Sequence, residues 1–369
     1  MNKSQANVLI TTSPYTTLLY FLVSEIDDIN NTKYFFIRTR KYTQQEKEQI
    51  AKIFPSSYFL KEPQITARFR NNKLLQKAYT ALQLIFKKAG VYLWLRACRN
   101  LRWPFLKTSK IYAYDNVSAS KALIAGSEYV FLEEGLFTYE NADIYAQRAS
   151  LARRLQIFLA APFAVRGLAT TKQAVKIILT GVAEIPKCYA GRNLEIVSMP
   201  ELWEKSDINK QEIIMKFFSL SHEDVNALKS RKIIFVDQPL SDDGLITRDE
   251  QIEMLRKIFE RYGHSQVLLK THYRSSINYR EIFPEVFIWD KLTPMELLNL
   301  CGVTFDKAVT VNSTAALSFP ESVKIDWLGK NPDDECFNHL SPASRRLFVD
   351  FVNRIPLPNR IKSQDAKEN

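Results

Sequence analysis

The fold of this chain is decided by short apolar runs that end in polar residues, and KIIFVDQP at residues 232–239 is a clear example. Its apolar residues are continuous rather than alternating, which is typical of strands covered on both faces in parallel sheets. Seven further runs share this pattern. They are NVLITTS (7–13), KYFFIRTR (33–40), KIYAYD (110–115), EYVFLEEG (128–135), QVLLKTH (266–272), KAVTVNS (307–313) and VKIDWLG (323–329). We therefore predict buried strands at all of these positions.

Helical patterns lie between the strands, at residues 44–54, 72–88, 248–262 and 294–301. Alternating strands and helices predict an α/β fold with doubly wound parallel sheets, and 369 residues are long for a single core. A less regular stretch near 186–230 separates the two halves. We predict a Rossmann-like N-terminal domain at 1–190, a Rossmann-like C-terminal domain at 191–355 and a polar tail at 356–369.

The formal net charge of +11 predicts an anionic partner. Lys and Arg are interleaved with aromatic residues in the segment 86–110, and a second basic segment runs from 147 to 167. Such segments fit a surface helix on anionic lipid, and an ordinary solvated basic face explains them equally well. No apolar run is long enough to span a membrane, and the first residues read as a strand, turn and helix rather than a signal peptide. We expect a cytoplasmic protein in peripheral contact with the inner membrane.

The cysteines and glycines exclude several kinds of site. Cys98, Cys188, Cys301 and Cys336 are widely spaced without a CxxC pair, so we expect neither a disulfide framework nor a zinc site. With only 10 glycines, a glycine-rich phosphate loop is not expected either.

Ligands of open α/β sheets bind outside the carboxyl ends of the strands, so the polar residues that follow the strands are the candidates for function. In chain order the candidates are Thr12 and Ser13; Glu133, Glu134 and Gly135; Asp237 and Gln238; Asp242; Lys270, His272 and Arg274; and Asn312, Ser313 and Thr314.

The segment YVFLEEG places two adjacent carboxylates at a strand end. Adjacent strand residues point to opposite sides, so only one of Glu133 and Glu134 can face a cleft. Gly135 then allows a tight turn and leaves room for a substrate. The pair fits a general base that accepts a proton from a hydroxyl, and a strand that simply ends in a solvated turn explains it as well.

The segment VLLKTHYR is a second candidate. His272 lies between Lys270 and Arg274, and these cations suit a phosphate or carboxylate. The imidazole can donate a proton or a hydrogen bond to the leaving phosphate oxygen of a nucleotide sugar.

Two further segments suit a nucleotide. Asn312, Ser313 and Thr314 follow a strand and precede a helical pattern, which fits phosphate binding or simple N-capping. Glu296 lies in the first turn of the helix that begins at Pro294, where a carboxylate can accept bonds from ribose hydroxyls or simply favour the helix dipole.

Together and in this order, these segments resemble the bacterial sialyltransferases of glycosyltransferase family 52 and the related polysialyltransferases. The acidic-acidic-glycine motif corresponds to Glu133, Glu134 and Gly135, and the serine/threonine turn corresponds to residues 312–314. The histidine motif corresponds to His272, although Tyr273 stands where those families usually have proline. The segment FVDQPLSDDG at 235–244 resembles the opening of their C-terminal domain.

The resemblance implies a GT-B fold, with two facing Rossmann-like domains and a central cleft, and CMP-sialic acid as donor. It implies a single inverting displacement without metal or cofactor, and a lipooligosaccharide or capsular glycan as acceptor. Glu134 would be the base with Glu133 in support, and His272 the acid and phosphate contact. Ser313 and Thr314 would hold the phosphate and Glu296 the ribose. Asp242 and Asp243 are alternative bases.

Two other functions are compatible with the sequence. The same fold could use another sugar nucleotide such as a UDP-hexose. The net charge alone would also suit a nucleic-acid-binding protein, but no helix-turn-helix, zinc or RNA-binding signature is present, so we expect no nucleic-acid partner. The acceptor, the linkage, the number of sugars added and the oligomeric state are not specified by these residues.

Overall fold

The computed structural model describes residues 6–37, 42–60, 102–147, 167–272, 275–291, 293–354 and 361. The chain divides into two compact units, which we call unit 1 (residues 1–217) and unit 2 (residues 218–369). Each unit contains one parallel β-sheet flanked by helices.

Unit 1 contains a sheet of seven strands in the order β3-β2-β1-β4-β5-β6-β7, all parallel. The strands are β1 (Asn7–Thr11), β2 (Lys33–Ile37), β3 (Ser57–Leu60), β4 (Lys110–Ala113), β5 (Tyr129–Leu132), β6 (Ala174–Leu179) and β7 (Leu194–Ile196). The helices are α1 (Pro14–Val23), α2 (Ile26–Asn31), α3 (Gln44–Ile53), α4 (Ser118–Ile124), α5 (Leu136–Ala146), α6 (Met199–Lys205) and α7 (Ile208–Phe217).

Unit 2 contains a sheet of five strands in the order β10-β9-β8-β11-β12, again all parallel. The strands are β8 (Ile233–Val236), β9 (Val267–Lys270), β10 (Phe287–Trp289), β11 (Lys307–Thr310) and β12 (Lys324–Trp327). The helices are α8 (His222–Lys229), α9 (Arg248–Tyr262), α10 (Tyr279–Ile282), α11 (Met295–Leu300) and α12 (Pro342–Arg354).

Residues 191–217, which the sequence analysis assigned to the second domain, pack with the first sheet. β7 pairs with β6, and the Lys210 ammonium donates to the Leu22 carbonyl at 3.0 Å. The ring of Phe217 packs edge-on against Phe21, with 5.0 Å between ring centroids. These contacts bury apolar area of α7 against α1, so the compact unit extends past residue 190.

All eight predicted strands are present. Most have a continuous apolar run that is buried in the sheet, whereas β12 buries only Ile325 and Trp327, on either side of Asp326. β3, β6, β7 and β10 were not predicted. The predicted helices at 44–54, 248–262 and 294–301 are confirmed within one residue at either end, whereas the helix predicted at 72–88 lies outside the described residues. The residues after β11 form a short 3₁₀ turn, Thr314–Ser318, rather than the predicted α-helix. Pro320 follows two residues later and cannot continue a helix.

The two sheets share one strand order. Numbered within each unit, both follow 3-2-1-4-5, the order of doubly wound nucleotide-binding folds. The order reverses between β1 and β4 in unit 1 and between β8 and β11 in unit 2. Ligands of this architecture bind at the carboxyl ends of the strands beside the reversal. The residues that follow these strands are therefore the first place to look for a site.

Candidate active site

Three strand ends of unit 1 converge on Glu134. Its side chain is half-buried and accepts a hydrogen bond from the Thr12 hydroxyl, which follows β1, at 3.0 Å. Tyr114 follows β4, and its hydroxyl also forms a hydrogen bond with the Glu134 side chain. Burial, and next the charge of Glu134, raises the pKa of Tyr114. The carboxylate of Glu134 is therefore oriented by two hydroxyl groups while part of it remains open to solvent.

Glu133 has the opposite environment. It is fully buried, and its carboxylate accepts bonds from the hydroxyls of Tyr15 at 2.6 Å, Tyr139 at 2.5 Å and Thr180 at 2.5 Å. It also accepts the backbone N–H of Thr180 at 3.1 Å. Burial raises the pKa of Glu133 although these bonds oppose the shift. The two adjacent carboxylates thus point to different environments, and Glu133 joins α1, α5 and the end of β6.

Gly135 turns the chain from β5 into α5. Its φ of +70° and ψ of −152° lie in a region that only glycine adopts readily, and an added Cβ would meet no atom within 4 Å. The requirement for glycine is therefore conformational. Ser13 is also committed to local structure, because its hydroxyl accepts the N–H of Thr16 and caps α1.

Asp115, which follows β4, holds a strained loop in unit 1. The fully buried carboxylate accepts the N–H groups of Leu168 at 2.5 Å and Ala169 at 2.9 Å, and the Tyr129 hydroxyl at 2.5 Å. Leu168 and Ala169 both have positive φ, at 56° and 51°. Burial raises the pKa of Asp115 to about 6, against the effect of these bonds.

The end of β9 in unit 2 carries His272. The residue is half-buried, and its backbone N–H donates to a carboxylate oxygen of Asp237 at 3.4 Å. Its carbonyl accepts the N–H of Ser275 at 2.9 Å, which closes a turn. The N–H of Ser276 donates to the exposed carboxylate of Asp242 at 3.0 Å. The histidine therefore lies in a turn that two carboxylates hold by backbone bonds.

Lys270 braces the adjacent loop. Its ammonium donates to the Lys291 carbonyl at 2.6 Å. The pKa of the nearby Asp290 is lowered although burial opposes the shift. The bond from Arg280 is the larger cause, and the charge of Lys270 adds to it. Tyr273 and Arg274 lie outside the described residues, so the prediction of a phosphate contact at Arg274 stays a prediction.

The reversal point of unit 2 holds buried polar atoms. The Gln238 amide donates to the Asn312 carbonyl at 2.7 Å and so joins the ends of β8 and β11. Asn312 is 2% exposed, and neither atom of its side-chain amide has a hydrogen-bond partner among the described residues. The same holds for the side-chain oxygen of Gln238. The N–H of Ser313 is bonded to the Thr310 hydroxyl at 2.9 Å. The strand reversal of unit 2 therefore has buried donors and acceptors without a partner among the described residues.

Glu296 is half-buried in the first turn of α11, as predicted. Thr314 begins the 3₁₀ turn after Ser313. Most of the two basic segments, 86–110 and 147–167, lies outside the described residues. Within the described part of the chain, no group of His, Cys, Asp or Glu is arranged to hold a metal ion, and no helix is long and apolar enough to cross a membrane. Cys188, Cys301 and Cys336 are free thiols without a disulfide bond.

The chain matches glycosyltransferase family 52 over residues 97–327, more than half of its length. The match includes Glu133, Glu134, His272 and Ser313. It is a glycosyltransferase of family 52. A protein of Haemophilus influenzae, described only as an uncharacterized protein, is 27% identical to it over 224 residues, which are 61% of this chain and 69% of that protein.

Solved structures show the fold of this family 52 glycosyltransferase. It is similar to a Photobacterium 2,6-sialyltransferase in complex with CMP and lactose, with a TM-score of 0.52, 12% identity and coverage of 87% of this chain and 70% of that one. It is also similar to the GT-B domain of a Photobacterium damselae sialyltransferase, with a TM-score of 0.51, 11% identity and coverage of 87% and 89%. The predicted GT-B fold class is thereby confirmed.

Several residues around the two candidate sites of this glycosyltransferase had no assigned role in the sequence analysis. They are Tyr15, Tyr114, Tyr139 and Thr180 in unit 1 and Gln251 and Tyr279 in unit 2. In the sequence the tyrosines are indistinguishable from ordinary core residues, because their hydroxyls contact the carboxylates only in the folded chain. Asp237 was recognisable as a polar residue at a strand end, and that position was the available signal for it.

Proposed function

We propose that this protein is an inverting sialyltransferase that moves sialic acid from CMP-sialic acid to a cell-surface glycan, either lipooligosaccharide or capsule. The proposal is supported mainly by the contrast between two adjacent carboxylates at the end of β5 in a chain of family 52. Glu134 is oriented by Thr12 and half-open to solvent, while Glu133 is buried and saturated with hydrogen bonds.

Glu134 is the proposed base. An acceptor hydroxyl loses its proton to the carboxylate as its oxygen bonds to the anomeric carbon of the donor sugar. The bond from that carbon to the phosphate oxygen breaks in the same step, and CMP leaves with its electron pair. A carboxylate that is positioned by hydroxyls and accessible to solvent suits this proton transfer. Glu133 is too well enclosed to meet an acceptor, so its proposed role is to hold the strand end.

Unit 2 is the proposed donor-binding domain. His272 donates a proton or hydrogen bond to the leaving phosphate. Lys270 ends the same strand, β9, and Ser313 and Thr314 follow β11 on the other side of β8. The unused amide atoms of Asn312 and the oxygen of Gln238 supply hydrogen-bonding capacity beside the strand reversal. Glu296 is the proposed ribose contact. The proposal requires neither metal nor cofactor.

The test measures CMP release from CMP-sialic acid with a galactosyl acceptor. We expect Glu134→Gln and His272→Ala each to lower kcat by about 10²- to 10⁴-fold, the usual contribution of a positioned acid or base. Glu128→Gln is the matched control for the base, because Glu128 is exposed immediately before the start of the same strand. His222→Ala is the control for the acid, because His222 is exposed at the start of α8.

Two outcomes would contradict the proposal. Wild-type rates in both Glu134→Gln and His272→Ala would exclude the pair, and loss of rate in Asp242→Asn but not in Glu134→Gln would move the base to Asp242. A thermal-shift series with CMP and UDP tests the donor separately, since a ligand that binds the native state raises its melting temperature. Stabilisation by UDP and not by CMP would favour a UDP-hexose donor instead.

A further inference from the structure

A buried carboxylate that the proposed reaction does not use holds the backbone of His272. Asp237 follows β8 and is 1% exposed. One of its oxygens accepts the N–H of His272 at 3.4 Å and the Tyr279 hydroxyl at 2.9 Å, and the other accepts the Gln251 amide at 3.4 Å. The carboxylate therefore links α9 and α10 to the turn that carries the histidine.

The groups around Asp237 are themselves fixed. Gln251 is fully buried, and its side-chain oxygen accepts the N–H of Ser241 at 2.8 Å while its amide also donates to the Gln238 carbonyl at 2.9 Å. The Tyr279 hydroxyl accepts a bond from the Ser275 hydroxyl at 3.0 Å. The turn is thus tied to Asp237 directly at residue 272 and through Tyr279 at residue 275.

This network has an energetic cost that its packing role does not explain. The described groups that hydrogen-bond to Asp237 are all neutral or backbone groups, so none of these bonds supplies a positive charge to the buried carboxylate. Burial raises the pKa of Asp237 to about 7, against the effect of the bonds it accepts. An apolar residue would fill the same space without that cost. A carboxylate in this place offers strong acceptors for the N–H of His272 and for the hydroxyl that reaches Ser275.

We propose that Asp237 is a positioning residue, which sets the backbone of His272 and thereby the direction of its imidazole. The inference rests on the proposed function of His272, but its physical part concerns the free protein and can be tested without substrate. Tyr279 and Gln251 act through Asp237 in the same way.

The first experiment follows the His272 amide. Protein labelled with ¹⁵N-histidine gives one amide signal for each of the four histidines, and His272→Gln assigns the signal of interest. We expect Asp237→Ala to raise the exchange rate of the His272 amide about 10-fold or more, with smaller rises in Asp237→Asn and Tyr279→Phe. If Asp237→Ala fails to fold, the other two variants decide. A wild-type exchange rate in Asp237→Asn and Tyr279→Phe would overturn the proposal.

Glu250→Gln is the matched control. Glu250 is the neighbour of Gln251 in α9, and its carboxylate accepts the hydroxyl of Ser344 at 2.6 Å and the N–H of Ser341 at 2.8 Å. The variant loosens the start of α12 and also the N-terminal cap of α9, where Glu250 accepts the N–H of Thr247 at 2.7 Å, but it removes no hydrogen bond to Asp237. We expect a lower melting temperature and unchanged exchange at His272. Faster exchange in this control, equal to that in Asp237→Asn, would mean that any loosening of unit 2 frees the turn.

The second experiment is a double-mutant cycle in kcat. We expect Asp237→Asn to lower kcat about 10-fold in the wild-type background, with the donor KM changed less than about threefold, because an orientation matters most in the transition state. In the His272→Ala background Asp237→Asn should have no further effect. An equal loss in both backgrounds would show that Asp237 does not act through His272. If no transfer from CMP-sialic acid is detected, the proposed function fails, and the amide exchange still decides the positioning role.

Discussion

The end of β5 in unit 1 and the end of β8 in unit 2 each have a buried carboxylate next to a candidate functional residue. Glu133 accepts two tyrosine hydroxyls and the backbone N–H of Thr180, which follows β6. Asp237 accepts one tyrosine hydroxyl and the backbone N–H of His272, which follows β9. Each carboxylate therefore joins the loop of a neighbouring strand to the end of its own strand.

The two regions differ in where the candidate residue lies. In unit 1 it is the next residue along the chain, so the position of Glu134 depends on the peptide geometry at Glu133 and Gly135. In unit 2 it lies on another strand, so the position of His272 depends on a hydrogen bond between strands. A buried carboxylate can thus act on a neighbouring site either through the chain or across the sheet, and the two cases should respond differently to substitution.

The largest effect is expected from Glu133→Ala. The substitution leaves the hydroxyls of Tyr15, Tyr139 and Thr180 and one backbone N–H without their acceptor, which should cost about 3 to 5 kcal/mol of unfolding free energy. Urea denaturation measures this cost. Glu128→Ala, at an exposed residue immediately before β5, should change stability by less than about 0.5 kcal/mol. A loss of under 1 kcal/mol for Glu133→Ala would mean that its network is replaced by water.

The stability of the protein should depend on pH through the buried carboxylate of unit 2. Burial raises the pKa of Asp237 from its ordinary 3.8 to about 7, so the folded state binds the proton more tightly than the unfolded state. The contribution of this group to stability is therefore largest below about pH 4 and is lost as the pH rises through 7. Urea unfolding at pH 5 and pH 8 measures the effect.

We expect the stability of wild type relative to Asp237→Asn to fall between pH 5 and pH 8, by at most about 3 kcal/mol. The difference between the two proteins removes the contributions of other groups. The stability of wild type relative to Glu133→Gln should also fall as the pH rises, because burial raises the pKa of Glu133 as well. A relative stability that rises with pH would indicate that Asp237 is paired with a cation.

The smallest effect is expected from Gly135→Ala. The added methyl meets open space, so the cost is backbone strain alone, about 1 to 3 kcal/mol. Because the strain is relieved by turning the peptide beside Glu134, kcat should also fall. Gly126→Ala is the control, since Gly126 also has a positive φ and open space but lies at the other end of β5. Equal kcat in the two variants would show that Gly135 does not position Glu134.

Much of the fold could be predicted from local pattern. Strands such as β1, β5 and β8 consist mainly of consecutive apolar residues, because both faces of these strands are buried in the sheet. The missed strands have weaker signals for physical reasons. β3, β7 and β10 are edge strands of three or four residues, and β6 is interrupted by Lys176, whose ammonium pairs with Glu195 at 2.6 Å.

The candidate sites were only partly readable from the sequence. Parallel strands place their carboxyl ends together, so Thr12 and Glu134 were predicted at one edge of the sheet, and their side chains are hydrogen-bonded. The hydroxyls that enclose Glu133, and the link from Asp237 to His272, join residues far apart in the chain. No local periodicity encodes such contacts, so Tyr139, Gln251 and Tyr279 could not be distinguished from ordinary core residues.

The strand order of the two sheets also has a kinetic consequence. At the centre of unit 1, β1 pairs with β4, so Asn7 must find Lys110 before the sheet can close. At the centre of unit 2, Ile233 pairs with Val267 and with Lys307, both nearer along the chain. Closing a longer loop costs more entropy before any contact is formed, and folding slows as contacts become less local. During synthesis the central strands of unit 1 must therefore wait, with β1 and β2 already made, until β4 emerges.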